Sequence, residues 1–522
     1  MRSSVGVAAV LWAAWPGLVL ADVPLIVAVE YNDAAAVRVM LDEGADVDGA
    51  LPDGSTALHA AALGDRQQIA RLLLDAGADA TAATRYKVTP LALAAANGSA
   101  AMIGLLLDAG ADPNESSREG QTALMSAAIN GATDAIVMLI ERGADVDSSE
   151  PFRGQTALMW AATHGNAEAI AALAAAGGDI AARSSGGFTA LLLAARENRT
   201  EAVEKLLELG ADVNDTAPDG TSALNIAVVN AYFDLASVLL DAGADPNAPD
   251  PRGSALHTVA WLHKPGATWD AIRSYTLPAT APRPTGRVTA LELARKLLDH
   301  GADPNTRAAF REQRFDKVSG QALNPPSMML GRHYLTYNGA TSFYVAARNG
   351  DYRLMELLAG YGADATIPTV TGVTPLMAAA GLDYYEGETP GPLAGVPEAE
   401  RLAAVKLALE RGNGIDARTD FGDYTMEGSA EFTLETYPHN FDELADRGVG
   451  DPRFNGSTAL HGAIISKQAS IVRYLIDEGA DVFATNDLGW TPLMMAEGFF
   501  LANEQKVFPE AAEMLRAAMR EQ

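Results

Sequence analysis

The sequence of 522 residues contains no cysteine. That single absence excludes disulfides, thiolate zinc sites, cysteine nucleophiles and a lipidated N-terminal cysteine. It also removes the risk of wrong pairing in an oxidising compartment. Positive charge is scarce: 38 Lys and Arg stand against 67 Asp and Glu, a formal net charge of −29. With no basic face to release phosphate counterions, nucleic acid and anionic lipid surfaces are poor partners. An acidic surface keeps a protein soluble and permits a partner with a basic patch. Long apolar runs are missing after the first twenty residues, so no later segment is long enough to span a bilayer. Aromatic residues are sparse in one half only: residues 22–252 hold seven, residues 253–522 hold 25.

The N-terminus reads as an export leader. Arg2 supplies the positive start, Val5–Leu20 is an apolar run, and Val19-Leu20-Ala21 offers a cleavage site after Ala21. The run contains Pro16-Gly17 and is short for a membrane anchor. Losing Arg2 takes the formal charge from −29 to −30. A large exported chain without disulfides suits a bacterial periplasm. We expect residues 1–21 to be a signal peptide, with no membrane insertion once it is removed.

What is present is a rhythm. DGSTALHAAALGDRQQIARLLLDAGADA around Gly54 is echoed from Lys87, Gly120, Gly154, Gly187 and Gly220, at steps of 33 or 34 residues. Such a period signals a stacked repeat array. Thr56, Thr89, Thr122, Thr156 and Thr189 stand where a hydroxyl caps the first amides of a helix. Pro90 follows at the first helical position, where a missing N–H is harmless. An alanine-rich first helix permits close stacking, and a second helix such as the one holding Leu72-Leu73-Leu74 supplies bulk. Gly77, Gly110, Gly143, Gly210 and Gly243 stop that helix, and the Ala-Asp that follows makes a turn.

The pattern G-x-T-A/P-L-H-x-A-A followed by L-L-x-x-G-A-D-x-N resembles the ankyrin repeat. TALHAAA at Thr56, TPLALAAA at Thr89, STALHGA at Ser457 and WTPLMMA at Trp490 carry the likeness, which runs over nearly the whole mature chain. The resemblance implies an all-α solenoid of about twelve helix–turn–helix repeats with finger turns. Pro24–Asp48 would be the N-terminal cap and Gly489–Gln522 the C-terminal one. It also implies a protein-binding scaffold rather than an enzyme.

The rhythm is regular over residues 22–252, broken over 253–455 and regular again over 456–522. Two repeats, beginning near Gly253 and Gly372, each carry an insertion between their helices and an extension of their finger. The aromatics follow these additions: Trp261, Trp269, Tyr275, Tyr334, Tyr337, Tyr384, Tyr385, Phe421, Tyr424, Phe432 and Tyr437. Rings with a polar handle are enriched at binding hot spots, which makes these the candidate partner-binding residues. Long loops also need small cores of their own, and the same rings could serve that end.

The remaining chemistry-bearing residues read as framework. His59, His257 and His461 occupy the histidine position of the repeat, where the resemblance implies a hydrogen bond to neighbouring backbone. His164 and His300 lie at helix ends. His263, His333 and His439 lie in the elaborated regions, without the spacing of a zinc site. Ten aspartates, Asp46, Asp79, Asp112, Asp145, Asp179, Asp212, Asp245, Asp303, Asp364 and Asp481, belong to the recurring turn. No phosphate-cradling loop, nucleophile elbow or calcium loop occurs, and no cofactor is implied. The reading is an exported scaffold that binds another protein through its aromatic-rich C-terminal half, its acidic surface steering a basic patch. The alternative is a periplasmic binder of a small ligand such as a sugar or cell-wall fragment. A flat or grooved aromatic surface favours the first and an enclosed pocket the second, while a His/Asp pair within hydrogen-bond reach would point to catalysis.

Overall fold

The structure, a computed structural model, describes residues 24–249, 253–263, 285–308, 339–382, 396–420, 455–501 and 504–521. The chain divides into two compact units between Ala211 and Asp212. The first unit holds α1 (Pro24–Glu30), α2 (Ala34–Asp42), α3 (Ala57–Leu63), α4 (Gln67–Asp75), α5 (Pro90–Ala96), α6 (Ala100–Asp108), α7 (Ala123–Asn130), α8 (Thr133–Glu141), α9 (Ala157–His164), α10 (Ala167–Ala175), α11 (Ala190–Arg196) and α12 (Thr200–Glu208). The second holds α13 (Ala223–Val229), α14 (Phe233–Asp241), α15 (Ala255–His263), α16 (Ala290–Asp299), α17 (Ser342–Arg348), α18 (Tyr352–Gly360), α19 (Pro375–Ala380), α20 (Glu398–Glu410), α21 (Ala459–Ile465), α22 (Ala469–Asp477), α23 (Pro492–Glu497) and α24 (Pro509–Glu521). In both units consecutive helices pack in pairs. Among the described residues no helix is long and apolar enough to cross a membrane.

Most of these helices are seven to nine residues long. Helices so short are unstable alone, so their stability comes from stacking. The threonine before a first helix caps it in most repeats: the Oγ1 of Thr89, Thr122 and Thr156 accepts from the N–H of Ala92, Met125 and Met159. Two of the expected caps differ: the Thr56 hydroxyl pairs with His59 Nδ1, and the Thr189 hydroxyl has no hydrogen bond among the described residues. Second helices bury a fixed triad at i, i+1 and i+4. It is Ile69, Ala70 and Leu73 in α4, Met102, Ile103 and Leu106 in α6, and Ile471, Val472 and Leu475 in α22. Each buried leucine or isoleucine contributes about 1.5–3 kcal/mol of transfer free energy. The glycine that ends the second helix is left-handed, as at Gly77 with φ 93°, a conformation side chains resist.

Within each unit, side chains bond neighbouring repeats at both ends. At the aspartate turn, Asn114 donates to the Gly143 carbonyl (3.0 Å) and accepts from the Asp145 N–H (2.7 Å). Asn305 does the same to Gly362 (3.2 Å) and Asp364 (2.7 Å). At the opposite end lie helix carbonyls with no partner in their own helix. Asn97 donates to Ala62 (3.1 Å) and Leu63 (2.8 Å), Asn166 to Ala128 (2.8 Å) and Ile129 (2.9 Å), and Asn349 to Ala260 (3.2 Å). The fingers also join directly: the Arg85 N–H donates to Asp53 (2.9 Å) and the Ser185 N–H to Arg153 (2.7 Å).

The irregular stretch keeps this bonding. Asn247 donates to Gly301 (2.8 Å) and accepts from Asp303 (2.8 Å), across the first inter-helix insertion. The chain returning to α16 is gripped by Asp234, which accepts from the N–H of Arg287 (3.0 Å) and Val288 (2.8 Å). An ordinary finger closes where Thr84 donates to Val88 (3.0 Å) and accepts from Lys87 (2.8 Å). Ala308 makes the same two bonds, to Ala340 (2.8 Å) and from Gly339 (2.7 Å). Thr419 makes them to Ser457 (3.0 Å) and from Gly456 (3.1 Å). The described ends of both extended fingers therefore meet as an ordinary finger does.

One local structure was not legible in the repeat pattern. Between α23 and α24 the chain leaves the helix at Gly498 and forms an antiparallel pair, β1 (Phe499–Leu501) with β2 (Glu504–Lys506).

Candidate interaction surface

Of the eleven aromatic candidates, Trp261 falls within the described residues. It sits on α15 in the second unit, half-buried, with the Arg348 guanidinium 5.9 Å from the ring centre. Trp269, Tyr275, Tyr334, Tyr337, Tyr384, Tyr385, Phe421, Tyr424, Phe432 and Tyr437 lie outside the described residues, as do His333 and His439.

His263 ends α15 and bonds through Nδ1 to one carboxylate oxygen of Asp351. That carboxylate is fully buried, and its other oxygen caps α18 by accepting from the Leu354 N–H (3.2 Å). Both oxygens are thus engaged in joining two turns. Among the described residues no hydroxyl is hydrogen-bonded to His263, and no three His, Asp or Glu side chains gather as metal ligands. The pair meets the distance criterion for a catalytic dyad, and its described bonds tie the end of α15 to the start of α18.

His59, His257 and His461 share a tighter arrangement. Nδ1 of His461 accepts from the Thr458 N–H (3.2 Å), and Nε2 faces the Trp490 carbonyl (3.1 Å) in the next repeat. His59 repeats this with Thr56 (3.2 Å) and Val88 (3.0 Å), and His257 with Ser254 (3.2 Å) and Ala340 (3.1 Å). A backbone N–H can only donate, so Nδ1 must accept and the proton resides on Nε2. Each ring is a neutral staple between repeats. Burial pushes the His59 ring below its ordinary value and takes His461 down to about 4. The turn aspartates are equally committed: hydrogen bonds from Thr81 and Thr366 hold Asp79 and Asp364 below the usual carboxylate range.

The surface that sequence reasoning missed lies on the fingers of the first unit. Phe152 is 75% exposed and Tyr86 is 52% exposed. The Arg85 guanidinium stands 4.8 Å from the Tyr86 ring centre and donates to its hydroxyl (2.9 Å). Phe188 has Arg196 at 5.7 Å, and Trp160 lies against His164 with ring centres 5.9 Å apart. Phe152 does not dangle. The buried carboxylate of Glu150 accepts from the N–H groups of Phe152 (2.7 Å), Arg153 (2.9 Å) and Gln155 (3.2 Å), which fixes that finger. Among the described residues, the Trp160 Nε1 and the Gln155 Oε1 below it have no hydrogen-bond partner; unpaired buried groups of this kind cost about 1–3 kcal/mol each. The signal was available: the tip residues Tyr86 and Phe152 fall between the turn glycine of one repeat and the capping threonine of the next, where packing needs no large ring.

Elsewhere, an open groove of about 480 Å³ runs over the second helices α20, α22 and α24, lined by Glu398, Leu402, Arg473, Tyr474, Asp477, Glu510 and Met514.

A family model described as ankyrin repeats in three copies matches residues 20–84, 82–150, 147–217, 184–250 and 427–504. It passes over residues 251–426, where the described helices still pair and bond as repeats do. The Arabidopsis thaliana potassium channel AKT1 is 34% identical over 90 residues, which cover 16% of this chain and 10% of the channel. The chain thus spans about a tenth of that relative's length. The crystal structure of the human ASB11 ankyrin repeat domain is 25% identical, with a TM-score of 0.40, covering 43% of this chain and 99% of the domain. Matched over more than half its length and built of paired short helices with histidine-stapled, asparagine-bridged turns, the chain belongs to the ankyrin-repeat family.

Proposed function

We propose that this protein is an exported scaffold that holds another protein on the fingers of its first unit. Ankyrin repeats generally mediate protein–protein interaction, and the fold is typically a scaffold without enzymatic activity. The observation that carries the reading is Phe152, an exposed ring on a finger whose backbone is fixed by Glu150. A rigid exposed aromatic loses little conformational entropy on binding and offers large contact area. Export rests on the leader at residues 1–21, and mass spectrometry of the protein secreted by its own cells should find Asp22 at the N-terminus.

A second interface in the C-terminal half rests on Trp261, which with Arg348 presents the same ring-and-guanidinium pairing. A photo-crosslinking residue placed in turn at positions 152, 261 and 137 separates the two. Val137 lies exposed on the second helix α8 and serves as the control. We expect an adduct with one protein from position 152 and none from 137. Adducts from 261 alone would move the interface to the second unit, and equal adducts from all three would defeat the reading.

A further inference from the structure

The fingers of the first unit turn positive charge outward from an acidic chain, and we propose that they seat an acidic segment of the partner that also carries large apolar side chains. The inference rests on the protein-binding reading above and specifies the chemistry of the same surface. Arg85, Lys87, Arg118 and Arg153 are all exposed on successive fingers. The nearby carboxylates are fewer or occupied. Glu119 is exposed beside Arg118. Asp53 accepts from both the N–H and the hydroxyl of Ser55 (2.9 Å each). Glu150 is buried and holds its own finger. Glu115 is half-buried, its carboxyl pushed up by burial and by Asp112.

The fingers are joined at their backbones, so these cations form a row and not a scatter. The Arg85 N–H donates to Asp53 (2.9 Å), the Arg118 N–H to Tyr86 (3.4 Å) and the Ser185 N–H to Arg153 (2.7 Å). Tyr86 and Phe152 are two repeats apart, on the order of 20 Å at ordinary helix spacing, which an extended segment of about six residues covers. Guanidinium groups grip carboxylates through paired hydrogen bonds, and the two rings offer apolar contact between them.

The net charge of −29 sharpens this choice. A carboxylate-rich segment is repelled by most of the surface, but that field fades over about 8 Å at physiological salt. Exposed cations such as Arg38, Arg71 and Arg295 also lie on the helices, but the fingers set four beside two exposed rings. A basic segment meets repulsion there, and a nucleic acid, with a phosphate every few ångström, finds cations at intervals of a whole repeat.

The test uses the full chain and three fluorescein-labelled probes, read by anisotropy. They are a short peptide alternating glutamate with leucine and phenylalanine, its lysine counterpart, and a single-stranded oligonucleotide of matched charge. The glutamate peptide should bind at least about tenfold more tightly than either other probe. A variant combining Arg85→Glu, Arg118→Glu and Arg153→Glu should lose about tenfold or more while melting like the parent, since all three side chains are exposed. Phe152→Ser should weaken binding without changing its salt dependence. Preference for the lysine peptide, equal binding of the oligonucleotide, or a charge-reversed variant that binds as before overturns the proposal. If the adduct from position 152 maps to a basic stretch of the partner, the scaffold reading stands and this one falls.

Discussion

A histidine that must stay neutral makes each staple sensitive to acid. The folded His461 ring titrates near 4, against about 6.5 in an unfolded chain. The unfolded state therefore binds the proton more readily as pH falls. The stabilising contribution is fully present above about 6.5 and is lost as pH drops through the folded value, amounting to about 3 kcal/mol. His59 is shifted in the same direction and adds to the slope. Urea midpoints measured from pH 7.5 down to pH 4 should decline steeply below 6.5. His461→Gln should be less stable at neutral pH and show a shallower decline; parallel curves would show that the ring does not titrate as described. Close packing gives a second residue-scale expectation. A Cβ at Gly462 would stand 2.6 Å from the Leu382 nitrogen, whereas Ala60 fills the matching place in α3. Gly462→Ala should destabilise by about 1–3 kcal/mol through overpacking, read from the same denaturation curves.

Elements were legible wherever a local rule decided them. Most threonine caps, the alanine-rich first helices and the turn aspartates follow from short-range chemistry that repeats along the chain; Thr189, whose hydroxyl makes no cap bond among the described residues, is an exception the pattern hides. The hairpin of β1 and β2 was not legible, because one departure from a pattern has no second copy to reveal it. Finger aromatics escaped for another reason. Whether Phe152 lies over its own turn or points into water depends on Glu150, and a lone glutamate before Pro151 carries no motif. The aromatic skew drew attention to residues 253–455, while the described exposed rings sit mostly in the first unit. At this scale Asn413 offers a direct test. Buried between α19 and α20, it donates to Ala365 (2.8 Å) and Ala408 (2.9 Å) and accepts from the Leu376 N–H (3.4 Å). Asn413→Ala strands these groups and should cost about 2–3 kcal/mol. Hydrogen exchange should show the added opening confined to helices α19 to α21; a uniform loss across the second unit would contradict nearest-neighbour coupling.

At the scale of the whole molecule, stability in an array is a sum of neighbour terms, and inserted chain adds the entropy cost of closing a longer loop. Replacing residues 309–338 by a two-residue turn should leave the far-UV spectrum of the helices unchanged. The shorter loop should raise stability by at most about 2 kcal/mol. Collapse of the α17 and α18 signals would instead mean that this segment holds the stack together. The paired bonds of Ala308 with Gly339 and Ala340 carry one more implication. Where the two strands of a finger are already fastened at its base, continuity of the polypeptide beyond that base is dispensable. Residues 22–308 and 339–522, supplied as two separate chains, should find each other through Asn305, Gly362 and Asp364 and assemble into one particle, a split protein whose reunion could report on whatever its fingers hold.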